Sequence, residues 1–177
     1  MAEIIEKRDE WAANFRDGWI AHLEAHGEMN WSLYNRPKNT QTVSGNAIDL
    51  SKSKLLFIST GGSYLADSQK PFFDSDDTHP RGDYSIRTYS IETPFDQLAI
   101  AHSHYDHTAV NADRQVLLPF KHLADMVEEG QIGSLCDTVV SYAGYQPDAT
   151  RVIDDLLPAI QKVVELEQPD AALLVPS

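Results

Sequence analysis

Residues 55–62 read LLFISTGG, a continuous apolar run that ends in two hydroxyl residues and two glycines. Such a run is typical of a strand that is buried on both faces in a parallel sheet. The turn that follows consists of Ser59, Thr60, Gly61 and Gly62. Its backbone N–H groups could converge on an oxyanion or a carboxylate, because glycine lets a ligand approach closely. A tight turn between a strand and a loop, without any ligand, fits the pattern equally well.

Segments with strand and helix patterns alternate in the rest of the chain. Further strands are predicted at residues 84–91, 98–101, 138–142 and 171–175. Helices are predicted at residues 117–130 and from Asp148 onward, where Pro158 should kink or divide the helix. This order predicts an α/β fold, layered, with a mainly parallel sheet flanked by helices. We expect the apolar strands, including residues 98–101, to lie in that one sheet.

The N-terminal part of the chain has a different pattern. Large apolar residues recur every four positions at Trp11, Phe15, Trp19 and Leu23. This spacing predicts an N-terminal amphipathic helix that ends near Gly27, followed by a long connection at residues 30–49. We therefore predict an N-terminal helix and connecting arm at residues 1–49. Residues 50–177 are predicted to be an α/β domain, in a single globular unit with the arm.

Composition limits the partners of the chain. Its 177 residues include 14 basic and 27 acidic ones, and the net charge of -13 disfavours nucleic acid and anionic membrane surfaces. The one cysteine, Cys136, excludes an intrachain disulfide and favours a reducing compartment. No run reaches the roughly 20 apolar residues of a membrane span. We expect a soluble, cytoplasmic protein.

The densest group of chemically active side chains lies at residues 102–107, which read HSHYDH. If a strand precedes them, His102 and His104 point the same way while Asp106 and His107 occupy the following turn. We predict His104, Asp106 and His107 as catalytic. The same three residues and His102 are predicted to bind a divalent metal such as zinc, iron or copper. Alternatively, one histidine is a capped core residue and the others are solvated.

Arg87 is the predicted substrate-binding cation. It lies on one face of a predicted strand, where its planar guanidinium could clamp the carboxylate of a small-molecule substrate. A structural pair with one of the many aspartates is an equally good interpretation. Because ligand sites in parallel sheets gather at the carboxyl ends of strands, we expect Arg87, the turn at residues 59–62 and the histidines in one pocket.

Several short motifs are similar to those of one protein family. In chain order they are LSKSKL at 50–55, STGG at 59–62, GDYSIR at 82–87, SHYDH at 103–107, LPFKHL at 118–123, EGQIG at 129–133, YAGY at 142–145 and DAALLVP at 170–176. They resemble the selenoprotein B family of glycine, sarcosine, betaine and D-proline reductases, and residues 1–49 lie outside the resemblance. It implies reductive cleavage of a C–N bond in a small amino acid by a selenol or thiol nucleophile.

The resemblance leaves two functions in competition. In that family a selenocysteine or cysteine, followed by a further cysteine, comes just after the strand that matches residues 171–175, where this sequence stops. The chain is therefore expected to be a reductase-like enzyme that acts on a small carboxylated substrate through the histidine cluster. Otherwise it is a non-catalytic or substrate-binding subunit whose redox thiols come from another chain. We expect a homo-oligomer or a subunit of a complex.

A second pattern also points to a metal. Residues 102–107 fit the H-x-H-x-D-H pattern of metallo-β-lactamase-type hydrolases, in which these groups bind zinc. That fold needs a further histidine well downstream, but the later His122 lies on a predicted helix, and the strand-rich halves of the fold are absent. We take the pattern as an indication of metal binding and reject the fold.

Overall fold

The sheet is built around its first strand. The computed structural model describes residues 4–41, 45, 47–73, 81–101 and 105–177. The strands within these residues are β1 (Lys54–Ser59), β2 (Ser63–Leu65), β3 (Arg87–Ser90), β4 (Leu98–Ile100), β5 (Ser134–Leu135), β6 (Thr138–Ser141) and β7 (Ala171–Val175). Every residue of β1 after Lys54 is buried, as predicted for a central strand.

Strand β1 is paired along both of its edges. On one edge it runs parallel to β7 over five residue pairs, from Leu55–Ala171 to Ser59–Val175. On the other edge it runs parallel first to β5 and then to β6, and β3 completes the sheet antiparallel to β6. The predicted α/β fold with a mainly parallel sheet is confirmed.

Strand β4 lies outside this sheet. It pairs antiparallel with β2, with Ser63 opposite Ile100 and Leu65 opposite Leu98. The prediction that residues 98–101 belong to the central sheet was therefore wrong. Strand β4 is only three residues long and mostly half-buried, and its partner begins directly after the glycine turn. Such short strands leave no periodicity by which the sequence could indicate their partner.

The helices are regular except for two wide turns. In chain order the α-helices of the described residues are α1 (Arg8–Asn14), α2 (Ala21–His26), α3 (Thr108–Ala112), α4 (Phe120–Glu128), α5 (Ala149–Arg151) and α6 (Leu157–Glu167). Short 3₁₀ turns occur at Trp31–Leu33, Leu50–Lys52, Phe95–Gln97 and Arg114–Val116. A π-helical turn at Phe15–Ile20 joins α1 to α2, and Gly27 ends α2 with φ 71°. None of these helices is long and apolar enough to span a membrane, as far as the described residues go.

The last helical region is divided, as predicted, near Pro158. Asp148 caps α5 because its carboxylate accepts hydrogen bonds from the N–H groups of Thr150 at 3.0 Å and Arg151 at 3.4 Å. A π-helical turn at Val152–Leu156 separates α5 from α6. Pro158 is the second residue of α6, so the wider turn lies directly before the proline, which cannot donate a backbone hydrogen bond.

The two faces of the sheet bury different halves of β1. Leu55 and Phe57 pack in the larger apolar cluster, which includes Phe120 of α4. Leu56 and Ile58 point to the other face and pack in a second cluster that includes Val163 of α6. Since successive side chains of a strand point to opposite faces, an apolar run without alternation needs both layers.

The end of α6 is fastened to the sheet by Glu167. Its carboxylate accepts a hydrogen bond from the Thr138 backbone N–H at 3.1 Å and pairs with the Lys54 ammonium at 3.0 Å. Hydrogen bonding from Thr138, and then from Lys54, holds the pKa of the Glu167 carboxyl below its usual range. The charged form of Glu167 therefore stabilises the folded state.

This linkage predicts a loss of stability in acid. The contribution of Glu167 is fully present above the unfolded carboxyl pKa of about 4.3 and is lost as the pH falls through its lower folded value. We expect Glu167→Gln to lower the free energy of unfolding at pH 7, and the difference from the wild type to shrink below about pH 4. Urea unfolding at both pH values measures this. Glu165→Gln, on the same helix, is the control. A difference in unfolding free energy between the wild type and Glu167→Gln that grows in acid would contradict the assignment.

Candidate functional site

The turn after β1 is tied into the sheet by its own backbone. Thr60 N–H donates to the Val175 carbonyl at 3.1 Å, and Gly62 N–H donates to the Tyr142 carbonyl at 3.0 Å. Between them, Gly61 N–H donates to Ser59 Oγ at 3.1 Å. These N–H groups already have internal acceptors, so an anion at this turn would need other donors as well. The predicted role of residues 59–62 in substrate binding stays a prediction.

The two glycines are needed where they stand. Gly62 has φ 66°, a left-handed conformation that glycine adopts without strain. A Cβ on Gly61 would collide with both methyl groups of Leu117, which is buried in the larger cluster. Gly61 also forms an isolated bridge with Ala143. The packing of the turn against Leu117 therefore requires glycine whether or not a ligand binds.

The histidine segment begins beside this turn. Ala101 N–H donates to the Gly62 carbonyl at 3.0 Å, and the chain then enters residues 102–104. His102 and His104, with Ser103 between them, lie outside the described residues. Their predicted roles as metal ligands, and that of His104 in catalysis, stay predictions. The hydrogen bond of Ala101 brings the start of this segment to the carboxyl end of β1.

Asp106 and His107 lie just before α3. The Asp106 carboxylate accepts hydrogen bonds from the Thr108 hydroxyl at 2.6 Å and the Thr108 N–H at 2.8 Å, which lower the pKa of Asp106. The His107 ring lies 4.5 Å from the ring of Tyr105. Among the described residues no group of three or more His, Cys, Asp or Glu is arranged to hold a metal ion. The predicted metal site depends on the undescribed histidines.

Arg87 holds a neighbouring loop. Its guanidinium donates to the carbonyl oxygens of Lys70 at 2.8 Å and Pro71 at 3.3 Å. It also donates to Ser85 Oγ at 2.7 Å and lies 4.3 Å from the ring centroid of Phe72. The side chain is only 16% exposed. These contacts give Arg87 a structural role in addition to the predicted contact with a carboxylate, which stays a prediction.

The register places Arg87 in the same row as the turn. Ser59 of β1 pairs with Ser141 of β6, and Ser141 pairs with Arg87 of β3. Paired residues of neighbouring strands share a face, and two strand spacings put the Cα atoms of Ser59 and Arg87 about 10 Å apart. Their backbones therefore lie at one end of the sheet, while the Arg87 guanidinium reaches outward to residues 70–72.

A cavity of about 680 Å³ opens beside Arg87. Its lining includes Lys70, Phe72, Phe73, Tyr84, Arg87 and Arg151. Arg151 lies 4.3 Å from the ring centroid of Tyr84 and therefore repeats the arrangement of Arg87 over Phe72. Among the described residues of the lining, which exclude 74–80, the one carboxylate is that of Asp83, which is 7% exposed. Three cations and two aromatic platforms in a concave surface suit a small organic carboxylate.

Sequence reasoning missed Arg151 and a cluster of buried hydroxyls. The Tyr89 hydroxyl donates to Ser63 Oγ at 2.6 Å, and Ser63 donates to Ser141 Oγ at 3.0 Å. Both serines are fully buried, and burial raises the pKa of Tyr89. Arg151 lines the cavity from the end of α5, beside Tyr84, whose hydroxyl accepts a hydrogen bond from the Asp148 N–H at 2.7 Å. Contacts over such long stretches of chain leave no local signal in the sequence.

The sequence of the chain matches a known family of reductase components. The family model described as glycine/sarcosine/betaine reductase selenoprotein B matches residues 26–170, which is most of the chain. The chain belongs to this family. The match begins at residue 26 and so includes part of the arm that the short motifs had left outside the resemblance.

One relative of known name is similar to part of the chain. The D-proline reductase subunit gamma of Acetoanaerobium sticklandii is 26% identical over 93 residues, which cover 52% of this chain and 38% of the relative. The match therefore spans about two fifths of the relative's length. No solved structure matches the chain.

The packing of the turn predicts the effect of Gly61→Ala. We expect the added methyl group to lower the free energy of unfolding by about 1–3 kcal/mol, because it overpacks the contact with Leu117. The double variant Gly61→Ala/Leu117→Ala should lose less unfolding free energy than the sum of the losses in the two single variants. Urea unfolding measures all three variants. Gly18→Ala, whose new methyl group would meet its first neighbour only at 3.9 Å, is the control. Purely additive losses would contradict the predicted collision.

Proposed function

We propose that this chain is the substrate-binding subunit of a reductase complex, and that another polypeptide supplies the redox thiols. Its substrate is a small amino-acid-like carboxylate, bound in the cavity beside Arg87. The family membership supports a role in reductive C–N cleavage, and the cation-lined cavity supports the class of substrate. The burial of Cys136 is the observation that supports a separate source of the redox thiols.

Cys136 is unsuited to redox chemistry. It is the one cysteine among the 177 residues, and it is 1% exposed. It packs with Leu56, Val140 and Val163 beneath α6, and burial raises the pKa of its thiol. Reductive cleavage replaces a C–N bond with a C–H and an N–H bond, which takes two electrons and two protons. A dithiol supplies both by becoming a disulfide, and a single buried thiol does not.

The substrate side of the proposal depends on charge. The chain carries a net charge of -13, yet three of its 14 basic residues line one cavity in which the described residues include a single carboxylate. That carboxylate, Asp83, accepts hydrogen bonds from the N–H groups of Phe73 at 3.1 Å and Ser85 at 2.8 Å, and lies 3.9 Å from Arg87. The Arg151 guanidinium lies over the Tyr84 ring, and its Nε donates to the Asp155 carboxylate at 2.8 Å, so its terminal N–H groups are the ones that would meet a substrate carboxylate. Arg151 is therefore the residue that we assign to the substrate.

A second candidate is a metal-dependent enzyme of the same family. The hydrogen bond of Ala101 to Gly62 favours it, because it starts the histidine segment at the carboxyl end of β1, where ligand sites gather. In this case His102, His104, Asp106 and His107 bind zinc, iron or copper and transfer protons. Elemental analysis of the purified protein, compared with His104→Ala, tests this candidate. Loss of one equivalent of metal in the variant would support it.

Substrate binding predicts a strict requirement for the carboxylate. We expect D-proline, glycine, sarcosine or betaine to bind to the purified chain, while pyrrolidine, which lacks the carboxylate, does not. Arg151→Gln should weaken the binding about tenfold or more, since it removes a charged hydrogen bond. Isothermal titration calorimetry measures the dissociation constants. Arg16→Gln, on the N-terminal helix, is the control and should bind like the wild type. Equal affinity for pyrrolidine would refute the proposal.

The position of Cys136 predicts the behaviour of the isolated chain. With dithiothreitol as electron donor we expect no reductive C–N cleavage of D-proline by the purified protein alone, because no nucleophilic thiolate reaches the substrate. Cys136→Ala should bind the substrate like the wild type. Mass spectrometry of the reaction mixture detects any ring-opened product. Turnover by the wild type that disappears in Cys136→Ala would make Cys136 the working group and overturn the assignment.

A further inference from the structure

Two histidines lie side by side on α2. His22 and His26 are four residues apart, a spacing that places both side chains on one face of a helix. Their ring centroids are 4.4 Å apart, and the planes of the rings are inclined by 39°. His22 is half-buried and His26 is exposed, so solvent reaches the pair. Neither residue belongs to the cavity or to the histidine cluster described above.

The backbone beneath this pair is held in place. On the adjoining face of the helix Trp19 is fully buried and Leu23 is 8% exposed, in the cluster that joins the N-terminal helices to α5. Glu24 pairs with Arg81 and so fastens the same helix to a distant part of the chain. The two imidazoles are therefore presented from a fixed backbone, which lowers the entropy cost of bringing them to one ion.

We propose that His22 and His26 form a bidentate site for a divalent transition-metal ion, with Cu²⁺ bound most tightly. Neutral imidazole is a preferred ligand of copper, nickel and zinc, and Cu²⁺ gives the most stable complexes of the three. Two histidines four apart on a helix can direct one nitrogen each to the same ion. Water completes the coordination, because within the described part of the chain no third histidine, cysteine or carboxylate joins the pair. The negative charge of the chain attracts the cation.

The test separates this site from the histidine cluster. The full chain carrying His102→Ala, His104→Ala and His107→Ala is titrated with CuCl₂ by isothermal titration calorimetry, so any ion bound by the cluster is removed. We expect one equivalent of Cu²⁺ to bind. A further His22→Ala or His26→Ala should weaken its binding at least about tenfold. His122→Ala, which removes an exposed histidine of α4, is the control and should leave the affinity unchanged.

Further measurements distinguish the loss of a metal ligand from a folding defect in the variants. Alanine is a strong helix former, so both variants should retain the far-ultraviolet circular dichroism of the parent. Cu²⁺ bound to the folded chain should raise its thermal midpoint, and this rise should disappear in His26→Ala. The electron paramagnetic resonance spectrum should show coupling to two nitrogen atoms. No binding by the cluster-free chain, or unchanged binding after His22→Ala, would overturn the proposal.

Discussion

The structure depends on the hydrogen bonds along both edges of β1. A strand that pairs on both edges and is covered on both faces has no exposed side, so all of its side chains after Lys54 are buried. The turn at its end extends the same bonding, since Thr60 and Gly62 donate to the strands or loops on either side. The carboxyl ends of β1, β6 and β7 are thereby locked together. Among the described candidate residues, the turn at residues 59–62 and the backbone of Arg87 are positioned from this end of the sheet.

The same hydrogen bonds limit what the glycine turn can offer to a ligand. Its N–H groups complete the sheet, and its lack of side chains lets Leu117 approach. A ligand at the turn therefore competes with structural bonds. The cavity beside Arg87 gathers its cations from three separate segments that converge only in the folded chain, and the Arg87 guanidinium likewise has internal acceptors, the carbonyl oxygens of Lys70 and Pro71.

Family membership and the described residues bear on different parts of the proposed reaction. The chain belongs to the glycine/sarcosine/betaine reductase selenoprotein B family and matches part of a D-proline reductase subunit. Its single thiol is buried in the core beneath α6, whereas the cationic cavity is open to a small carboxylate. In the proposed division of labour this chain binds the substrate, and another polypeptide delivers the electrons.

The sequence by itself determined the elements whose signals are local. The apolar run at residues 55–58, the four-residue period of the N-terminal helix and the Asp148 cap each record burial or hydrogen bonding within a few positions. These predict β1, the N-terminal helices, α4 to α6 and the α/β class. Only the tertiary structure decided that β4 pairs with β2, that Arg87 holds residues 70–72 and that Arg151 lines the same cavity. The physical reason is that strand pairing and the gathering of charged side chains in one cavity depend on contacts between distant segments. The periodicity of a sequence indicates which face of an element is buried, but not which partner buries it.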